Sequence, residues 1–136
     1  MTSKKGIIGR AEFVEFPDYE ISVPAKVDTG ADRNSVHATR IKIIEKDGEK
    51  ILRCRILKGP FVEFKDFDTV QVKSSNGETQ KRFKVKLLVS VLGKRYKTSF
   101  SLTNRQKMKY PILLGKNFLR NRFLVDVSLK NISLNL

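Results

Sequence analysis

The amino-acid sequence predicts a small all-β protein, built as a closed barrel or a small sandwich. Its polar clusters are short and evenly spaced between apolar runs, which is typical of chains with many short strands. Two of these clusters contain Asp47-Gly48 and Asn76-Gly77, dipeptides that favour the tight turns of β-hairpins. A third observation is the alternation of apolar and polar side chains over residues 83–91, which is the period of a half-buried strand.

Each apolar run in the sequence predicts one strand. The expected strands are residues 6–16, 21–27, 36–44, 51–57, 69–72, 83–91, 96–102, 112–114, 123–127 and 132–134. Pro17 and Asp18 close the first run, and Gly93 turns the chain before residues 96–102. Residues 117–122 are the one stretch expected to form a helical turn or two. We therefore expect roughly nine or ten short strands and at most one or two short helices.

Length and composition indicate one globular domain, which we assign to residues 1–136. A hydrophobic fraction of 40% and nine phenylalanines are typical of a folded chain rather than a disordered one. No apolar run is long enough to cross a bilayer, and the first residues lack the apolar core of a secretory signal. The one cysteine, Cys54, has no partner for an internal disulfide. We therefore expect a reducing, cytoplasmic setting and no membrane partner.

Positive charge is concentrated in the second half of the chain. The net charge is +14, and within residues 69–136 the only acidic residues are Glu78 and Asp126. A solvated basic surface is one interpretation of this excess. The alternative is attraction to an acidic partner, such as nucleic acid, an anionic membrane or an acidic peptide.

The tripeptide Asp28-Thr29-Gly30 poses the central question, because Asp28 is either a catalytic carboxylate or a turn residue. Alone, the tripeptide favours the turn, in which aspartate accepts from backbone N–H groups and glycine adopts a positive φ. Two further features favour catalysis. Asp28 directly follows an apolar strand, and residues 110–119 read YPILLGKNFL, an apolar strand followed by a glycine and a short helix.

These elements resemble the retropepsin-like aspartic proteases, in which a strand of aliphatic residues and glycine packs beside the Asp-Thr-Gly loop. Residues 25–38, 72–83 and 102–119 are similar to one bacterial branch, named ATP-dependent zinc proteases and associated with RimK-type ATP-grasp glutamate ligases. The resemblance runs from Ile7 to Val127. One departure is Asn34, where that family usually carries serine. The resemblance implies a small closed β-barrel of the retropepsin type.

The resemblance also implies an aspartic peptidase, whose chemistry needs two carboxylates that share one proton across a water molecule. Because the chain contains one Asp-Thr-Gly, the second Asp28 must come from a second copy, and we expect a homodimer. Thr29 would lock the two loops through its hydroxyl, and Gly30 would let the backbones approach closely. The expected support for the loop is the aliphatic strand of Leu113, Leu114 and Gly115.

Retropepsins close a hairpin flap over the substrate. Residues 74–78 are the expected flap tip, because that hairpin leads into the long strands before the aliphatic strand, and residues 46–49 would then be an insertion. An ordinary hairpin is the alternative. The expected substrate-binding residues are Ala31, Asp32, His37, Ser74, Ser75, Asn76 and Gly77. For His37, a structural hydrogen bond near the Asp28 loop is the alternative.

The residues do not support the zinc that the name of that branch implies. A catalytic zinc site needs three protein ligands, and the chain has one histidine and one cysteine. Asp28 and His37 would need a third ligand from Asp32 or from a partner chain. The GxxxxGK[ST] motif of a phosphate-binding loop is also absent from the sequence. We therefore expect no metal and no cofactor, and a zinc ion held by Asp28, His37 and such a third ligand is the alternative.

The sequence is compatible with three functions. The one that we favour is a homodimeric aspartic peptidase acting on glutamate-rich or glutamate-tailed proteins, with a functional link to a RimK-type ligase. The second is a basic module that binds nucleic acid or the ribosome by stacking bases on aromatic side chains, for which core packing is the alternative. Those aromatic residues are Phe61, Phe64, Phe67, Tyr96 and Phe100. The third is a retropepsin-fold dimerisation module without catalysis.

Overall fold

The computed structural model describes residues 5–73 and 76–135, and most of them lie in strands. The strands are β1 (Gly6–Ile8), β2 (Ala11–Phe16), β3 (Ile21–Asp28), β4 (Asn34–Lys46), β5 (Glu49–Ile56), β6 (Phe61–Phe64), β7 (Asp68–Lys73), β8 (Thr79–Val91), β9 (Lys94–Thr103), β10 (Ile112–Gly115) and β11 (Phe123–Val125). The helical segments are α1 (Lys116–Leu119) and two 3-10 turns, Pro17–Tyr19 and Ile132–Asn135. None of these helical segments has the length and apolar character that crossing a membrane requires.

Six strands close into a ring in the order β10-β3-β2-β8-β9-β4, and β4 pairs with β10 to complete it. The ring contains two parallel pairs, β3 with β10 and β4 with β9, which place distant segments of the chain side by side. Strands β5 and β6 extend from β4 beyond the ring, and β7 pairs with the first half of β8. The closed all-β barrel predicted from the sequence is therefore confirmed.

The interior of the ring is apolar, and β3, the strand that ends at Asp28, is one of the six strands around it. The face of β8 that alternation predicts to be inside is buried at Val85, Leu87, Val89 and Val91. On the other side of the core, the rings of Phe16 and Phe100 meet edge to face with their centroids 5.6 Å apart. Burial of these side chains is the main favourable term that holds the ring together.

Residues 6–16 form two strands instead of the single strand that we expected. The break falls at Gly9 and Arg10, where the C-terminal segment packs against the chain and the Arg10 N–H donates to the Leu129 carbonyl over 2.8 Å. A Cβ on Gly9 would lie 2.6 Å from that carbonyl oxygen, so a side chain there would displace the segment. Before the break, β1 lies outside the ring and pairs in parallel with β11.

Two other local expectations are wrong. Residues 132–134 lie in a 3-10 turn rather than a strand, because the Ser133 N–H donates to the buried carboxylate of Glu12 over 3.0 Å instead of joining a sheet. The short strand β6 was not expected. Its side chains alternate only between exposed and partly buried, so the sequence carries a weak apolar pattern there.

The aromatic side chains that could stack on nucleic-acid bases belong mostly to the core. Phe100 is fully buried, and Phe64, Phe67 and Tyr96 pack against the core while partly buried. Phe61 keeps 48% of its surface exposed. Core packing, the alternative interpretation, is therefore correct for Phe100, which no base can reach.

Candidate active site

Asp28 is the last residue of β3, and its backbone lies in register with Gly115 at the end of β10. The Gly30 N–H donates to Asp28 Oδ1 over 2.9 Å, and the Ala31 N–H donates to the Asp28 carbonyl over 3.2 Å. These bonds close a tight turn that orients one carboxylate oxygen. The other oxygen, Oδ2, lies 3.9 Å from Lys26 Nζ, and 28% of the side chain is exposed. The carboxylate therefore reaches solvent from a well-defined turn.

Hydrogen bonds from α1 hold the loop that follows the tripeptide. The Lys116 N–H donates to the Ala31 carbonyl over 2.7 Å, and the Asn117 N–H donates to the Asp32 carbonyl over 3.2 Å. The side chains also meet, since Lys116 Nζ lies 3.0 Å from Asp32 Oδ1. This hydrogen bond and the positive charge of Lys116 hold the pKa of Asp32 below its usual value. The loop that contains Ala31 and Asp32 is thus fixed to the helix that follows β10.

Close packing between β10 and the same loop requires glycine at position 115. A Cβ on Gly115 would lie 2.6 Å from the carbonyl oxygen of Arg33. Leu114 is fully buried and lies in register with Val27, and Leu113 faces the cavity described below. The structure thus places the aliphatic strand directly beside β3 and Asp28.

Asn34 links three strands through a buried side chain. Its Oδ1 accepts from the Gly115 N–H over 2.9 Å, and its Nδ2 donates to the Ser99 carbonyl over 3.1 Å. Its own carbonyl accepts from Ser101 Oγ over 3.2 Å, and that hydroxyl lies 3.0 Å from Ser35 Oγ. In the sequence, Asn34 is only a departure from the family pattern. The hydrogen bonds that Asn34 makes could not be predicted from the sequence, because its partners lie far along the chain.

His37 makes a structural hydrogen bond to the segment that follows β9. Its Nδ1 accepts from the Arg105 N–H over 2.9 Å. Burial, and to a smaller extent the positive charge of Arg105, lower the pKa of His37. A neutral ring with its proton on Nε2 fits this geometry. Since His37 is not part of the cavity lining beside the loop, its expected role in substrate binding stays a prediction.

The donor groups do not fit the zinc implied by the name of the protease branch. Within residues 5–73 and 76–135, no three His, Cys, Asp or Glu side chains lie close enough to hold a metal ion. His37 Nδ1 already accepts from Arg105. Cys54 is buried, and burial raises the pKa of its thiol to about 11, which disfavours the thiolate that binds metals.

A cavity of about 590 Å³ lies between the Asp28 loop, the β7–β8 hairpin and the segment that follows β9. Its lining includes Ala31, Asp32, Val72, Arg82, Arg105 and Leu113. The hairpin expected to be the flap thus borders the same cavity as the Asp28 loop. Residues 46–49, at the tip of the competing β4–β5 hairpin, are not part of this lining.

The tip of the β7–β8 hairpin is only partly described. Asn76 Oδ1 accepts from the Glu78 N–H over 3.1 Å, and Gly77 adopts a φ of 87°, which favours glycine. Ser74 and Ser75, which we also expect to bind substrate, lie outside the described residues. A flap role for this tip stays a prediction.

Arg105 is one of the charged residues of this region that we did not identify from the sequence. Its Nε donates to the Tyr110 carbonyl over 3.0 Å, and its side chain is half-buried beside the cavity. Burial lowers its pKa, the charge of Arg82 lowers it further, and Asp28 acts in the opposite direction. Arg82 lines the same cavity as Arg105, and Asp28 itself is not part of that lining. The one signal in the sequence was its position within residues 102–119, which carry the family resemblance.

A closed ring of strands that presents an Asp-Thr-Gly loop beside an aliphatic strand ending in glycine defines the retropepsin-like class of protein. The chain belongs to the RimB-like family, described as "Retropepsin-like aspartic endopeptidase RimB", whose sequence profile matches residues 7–135. The resemblance drawn from the three sequence segments is thereby confirmed.

Similar proteins include longer chains and one solved structure. Probable alpha-L-glutamate ligases from Shewanella pealeana and Shewanella halifaxensis are each 34% identical to this chain, over 94% of it and 30% of their own length. The chain therefore spans about 30% of the length of these curated relatives. A crystal structure of a Legionella pneumophila protein of unknown function matches 96% of this chain and 99% of its own, with a TM-score of 0.76 and 32% identity.

Proposed function

We propose that the protein is a homodimeric aspartic peptidase, in which two Asp28 carboxylates activate the water that hydrolyses a peptide bond. The observation that supports this most is the Asp28 turn, in which the Gly30 N–H orients the carboxylate and the side chain reaches solvent. Thr29 and Gly30 are exposed beside it, where a second loop would have to meet the first. One chain supplies one such carboxylate, so a two-fold axis must supply the other.

The chemistry depends on the two carboxylates having different protonation states. Like charges about 3 Å apart cannot both ionise, so the pair holds one proton between them. The ionised Asp28 removes a proton from water, and the resulting hydroxide attacks the carbonyl carbon of the peptide. The protonated Asp28 donates its proton to the carbonyl oxygen. When the tetrahedral intermediate collapses, the C–N bond breaks and the leaving amine receives a proton from the acid–base pair.

An acidic peptide is the substrate that the surroundings of the site favour. The basic residues Arg33, Lys73, Arg82 and Arg105 line the cavity beside the loop. A positive cleft raises the local concentration of acidic peptides. The relatives named probable alpha-L-glutamate ligases give further support for a glutamate-containing substrate and for a functional link to a RimK-type ligase.

The test compares the native protein with Asp28→Asn on a peptide that ends in four glutamates, with a chelator present throughout. Asp47→Asn is the matched control, because it removes an exposed carboxylate at a φ of 51°, which asparagine tolerates. We expect the native protein and Asp47→Asn to cleave the peptide and Asp28→Asn to be inactive. Cleavage that persists in Asp28→Asn would contradict the proposal, and so would a strictly monomeric protein at micromolar concentration.

A further inference from the structure

The cavity beside the Asp28 loop carries positive charge that its own walls do not neutralise. Its basic lining residues are Arg33, Lys73, Arg82 and Arg105. Among the described lining residues the acidic one is Asp32, and Lys116 lies 3.0 Å from its carboxylate, outside the cavity lining. A ligand that enters this cavity therefore meets an excess of positive charge.

Arg105 is held in place by the chain on two sides. Its backbone N–H donates to His37 Nδ1 over 2.9 Å, and its Nε donates to the Tyr110 carbonyl over 3.0 Å. The turn after it closes when the Met108 N–H donates to the Arg105 carbonyl over 2.9 Å. Because Nε is bound to the chain, the two terminal nitrogens of the guanidinium are the donors that remain for a ligand in the cavity.

Arg105 lines the same cavity as Arg82 and as Ala31 and Asp32, which follow Asp28 in the loop. Burial is the main cause that lowers its pKa, the positive charge of Arg82 is the second, and Asp28 opposes both. The side chain of Arg105 is thus half-buried in a cavity that Arg82 also lines. An anion bound between Arg105 and Arg82 would relieve their repulsion and accept charge-assisted hydrogen bonds.

We propose that Arg105, together with Arg82, binds the side-chain carboxylate of an acidic substrate residue next to the scissile bond. Arg105 is then a specificity-determining residue, and this assignment rests on the proposed peptidase function of Asp28. Glutamate is preferred to glutamine at this position, because a neutral amide would leave the charges of two neighbouring guanidinium groups uncompensated.

The lining of the cavity favours a peptide over RNA as the source of the anion. No aromatic side chain belongs to the lining within the part of the chain that the structure describes. Proteins that bind single-stranded nucleic acid stack bases on aromatic side chains, which this cavity does not offer. The cavity instead follows the β7–β8 hairpin, and extended peptides bind along such strands.

The test measures binding in an Asp28→Asn background, so that hydrolysis does not affect the readout. The probes are a fluorescent peptide ending in four glutamates, the same peptide ending in four glutamines, and a fluorescent uridine octamer. Arg105→Gln, Arg105→Lys and Arg82→Gln are made separately, and thermal melting checks that each is folded. Arg95→Gln is the matched control, since it removes the same charge from an exposed position near the other end of β9.

We expect Arg105→Gln to weaken binding of the glutamate peptide by about tenfold to a hundredfold, the range expected for a charge-assisted hydrogen bond. Arg82→Gln should also weaken it, Arg105→Lys should restore part of the affinity, and Arg95→Gln should leave it nearly unchanged. The glutamine peptide should bind weakly to every variant. If Arg105→Gln does not fold, the Arg82→Gln and Arg105→Lys results decide the question.

Two results would overturn the carboxylate site. One is an equal loss of affinity in Arg105→Gln and Arg95→Gln, which would mean that only net charge matters. The other is Arg105-dependent binding of the uridine octamer in place of the glutamate peptide. If Arg105-dependent peptide binding is found but the native protein does not hydrolyse the peptide, the proposed peptidase fails while the carboxylate site stands.

Discussion

Gly115 lies in register with Asp28 across the parallel pair of β10 and β3, and it leaves no room for a side chain. A Cβ there would lie 2.6 Å from the Arg33 carbonyl oxygen and 2.8 Å from the Arg33 backbone nitrogen. The loop that carries Asp28 is therefore in close contact with the strand that supports it. The separation of these two backbones determines where the Asp28 carboxylate lies.

The substitution Gly115→Ala is expected to destabilise the protein by about 1–3 kcal/mol, because backbone atoms rather than a flexible side chain must move. Gly6→Ala is the control, since a Cβ on Gly6 would lie 3.5 Å from the Phe123 side chain, an ordinary contact. Urea unfolding of both variants gives the comparison. Equal stability of the two would show that the approach of Arg33 to Gly115 is not tight.

Replacing Asn34 with alanine removes the side-chain partners of the buried Gly115 N–H and of the partly buried Ser99 carbonyl. We expect a loss of about 2–4 kcal/mol in the free energy of unfolding, because each unsatisfied group has a cost of its own. Asn34→Ser should lose less stability, because the serine hydroxyl can still form a hydrogen bond with one of the two backbone groups. Asn117→Ala, at an exposed position, should change stability by less than about 0.5 kcal/mol. A similarly small change in stability for Asn34→Ala would contradict the stabilising role of these two hydrogen bonds.

Glu12 is a buried carboxylate that joins the two ends of the described chain. Its Oε2 accepts from the Gly9 N–H over 2.9 Å, and its Oε1 accepts from the Ser133 N–H over 3.0 Å. In Glu12→Gln, the side-chain NH2 group faces one of these two N–H groups and cannot accept its hydrogen bond. We therefore expect the free energy of unfolding to fall by about 1.5–3 kcal/mol, and hydrogen exchange at the Ser133 amide to become faster. Glu15→Gln, exposed on the same strand, is the control. Unchanged exchange at Ser133 would contradict this account.

The lowered pKa of His37 makes stability depend on pH in a defined direction. Burial is its main cause, so the unfolded chain binds a proton at His37 more readily than the folded chain. The free energy of unfolding is therefore unaffected by His37 at pH values above 6.5, the pKa of histidine in the unfolded chain. It decreases as the pH falls below 6.5 toward the lower pKa of His37 in the folded chain. His37→Asn keeps an acceptor for the Arg105 N–H but does not titrate.

We accordingly expect the native protein to lose more stability than His37→Asn when urea unfolding is measured at a series of pH values from about 7.5 down to about 5.5. His37 is the one histidine of the chain, and the aspartates with shifted pKa values have them lowered, below this range. Parallel pH profiles of the two proteins would mean that the His37 ring is not desolvated in the folded state.

The parts of the fold that depend on local pattern were predictable. The apolar face of β8 follows from alternation, and the β4–β5 turn follows from Asp47-Gly48, whose φ values of 51° and 80° are left-handed. The parts that depend on distant contacts were not. The break at Gly9 and the 3-10 turn at residues 132–135 exist because the C-terminal segment packs against β2, a contact between distant parts of the chain.

By itself, the sequence determined the all-β class, the position of Asp28 at the end of a strand, and membership of a retropepsin-like family. The first two follow from residues that are neighbours in the chain, and the third from three short segments, each of which can be recognised along the chain. Only the tertiary structure decided which groups surround Asp28. Asn34 meets Ser99 and Gly115 across 65 and 81 residues, and His37 meets Arg105 across 68. Hydrogen bonds form only over about 3 Å, so these pairings exist once the ring has closed and cannot be read along the chain.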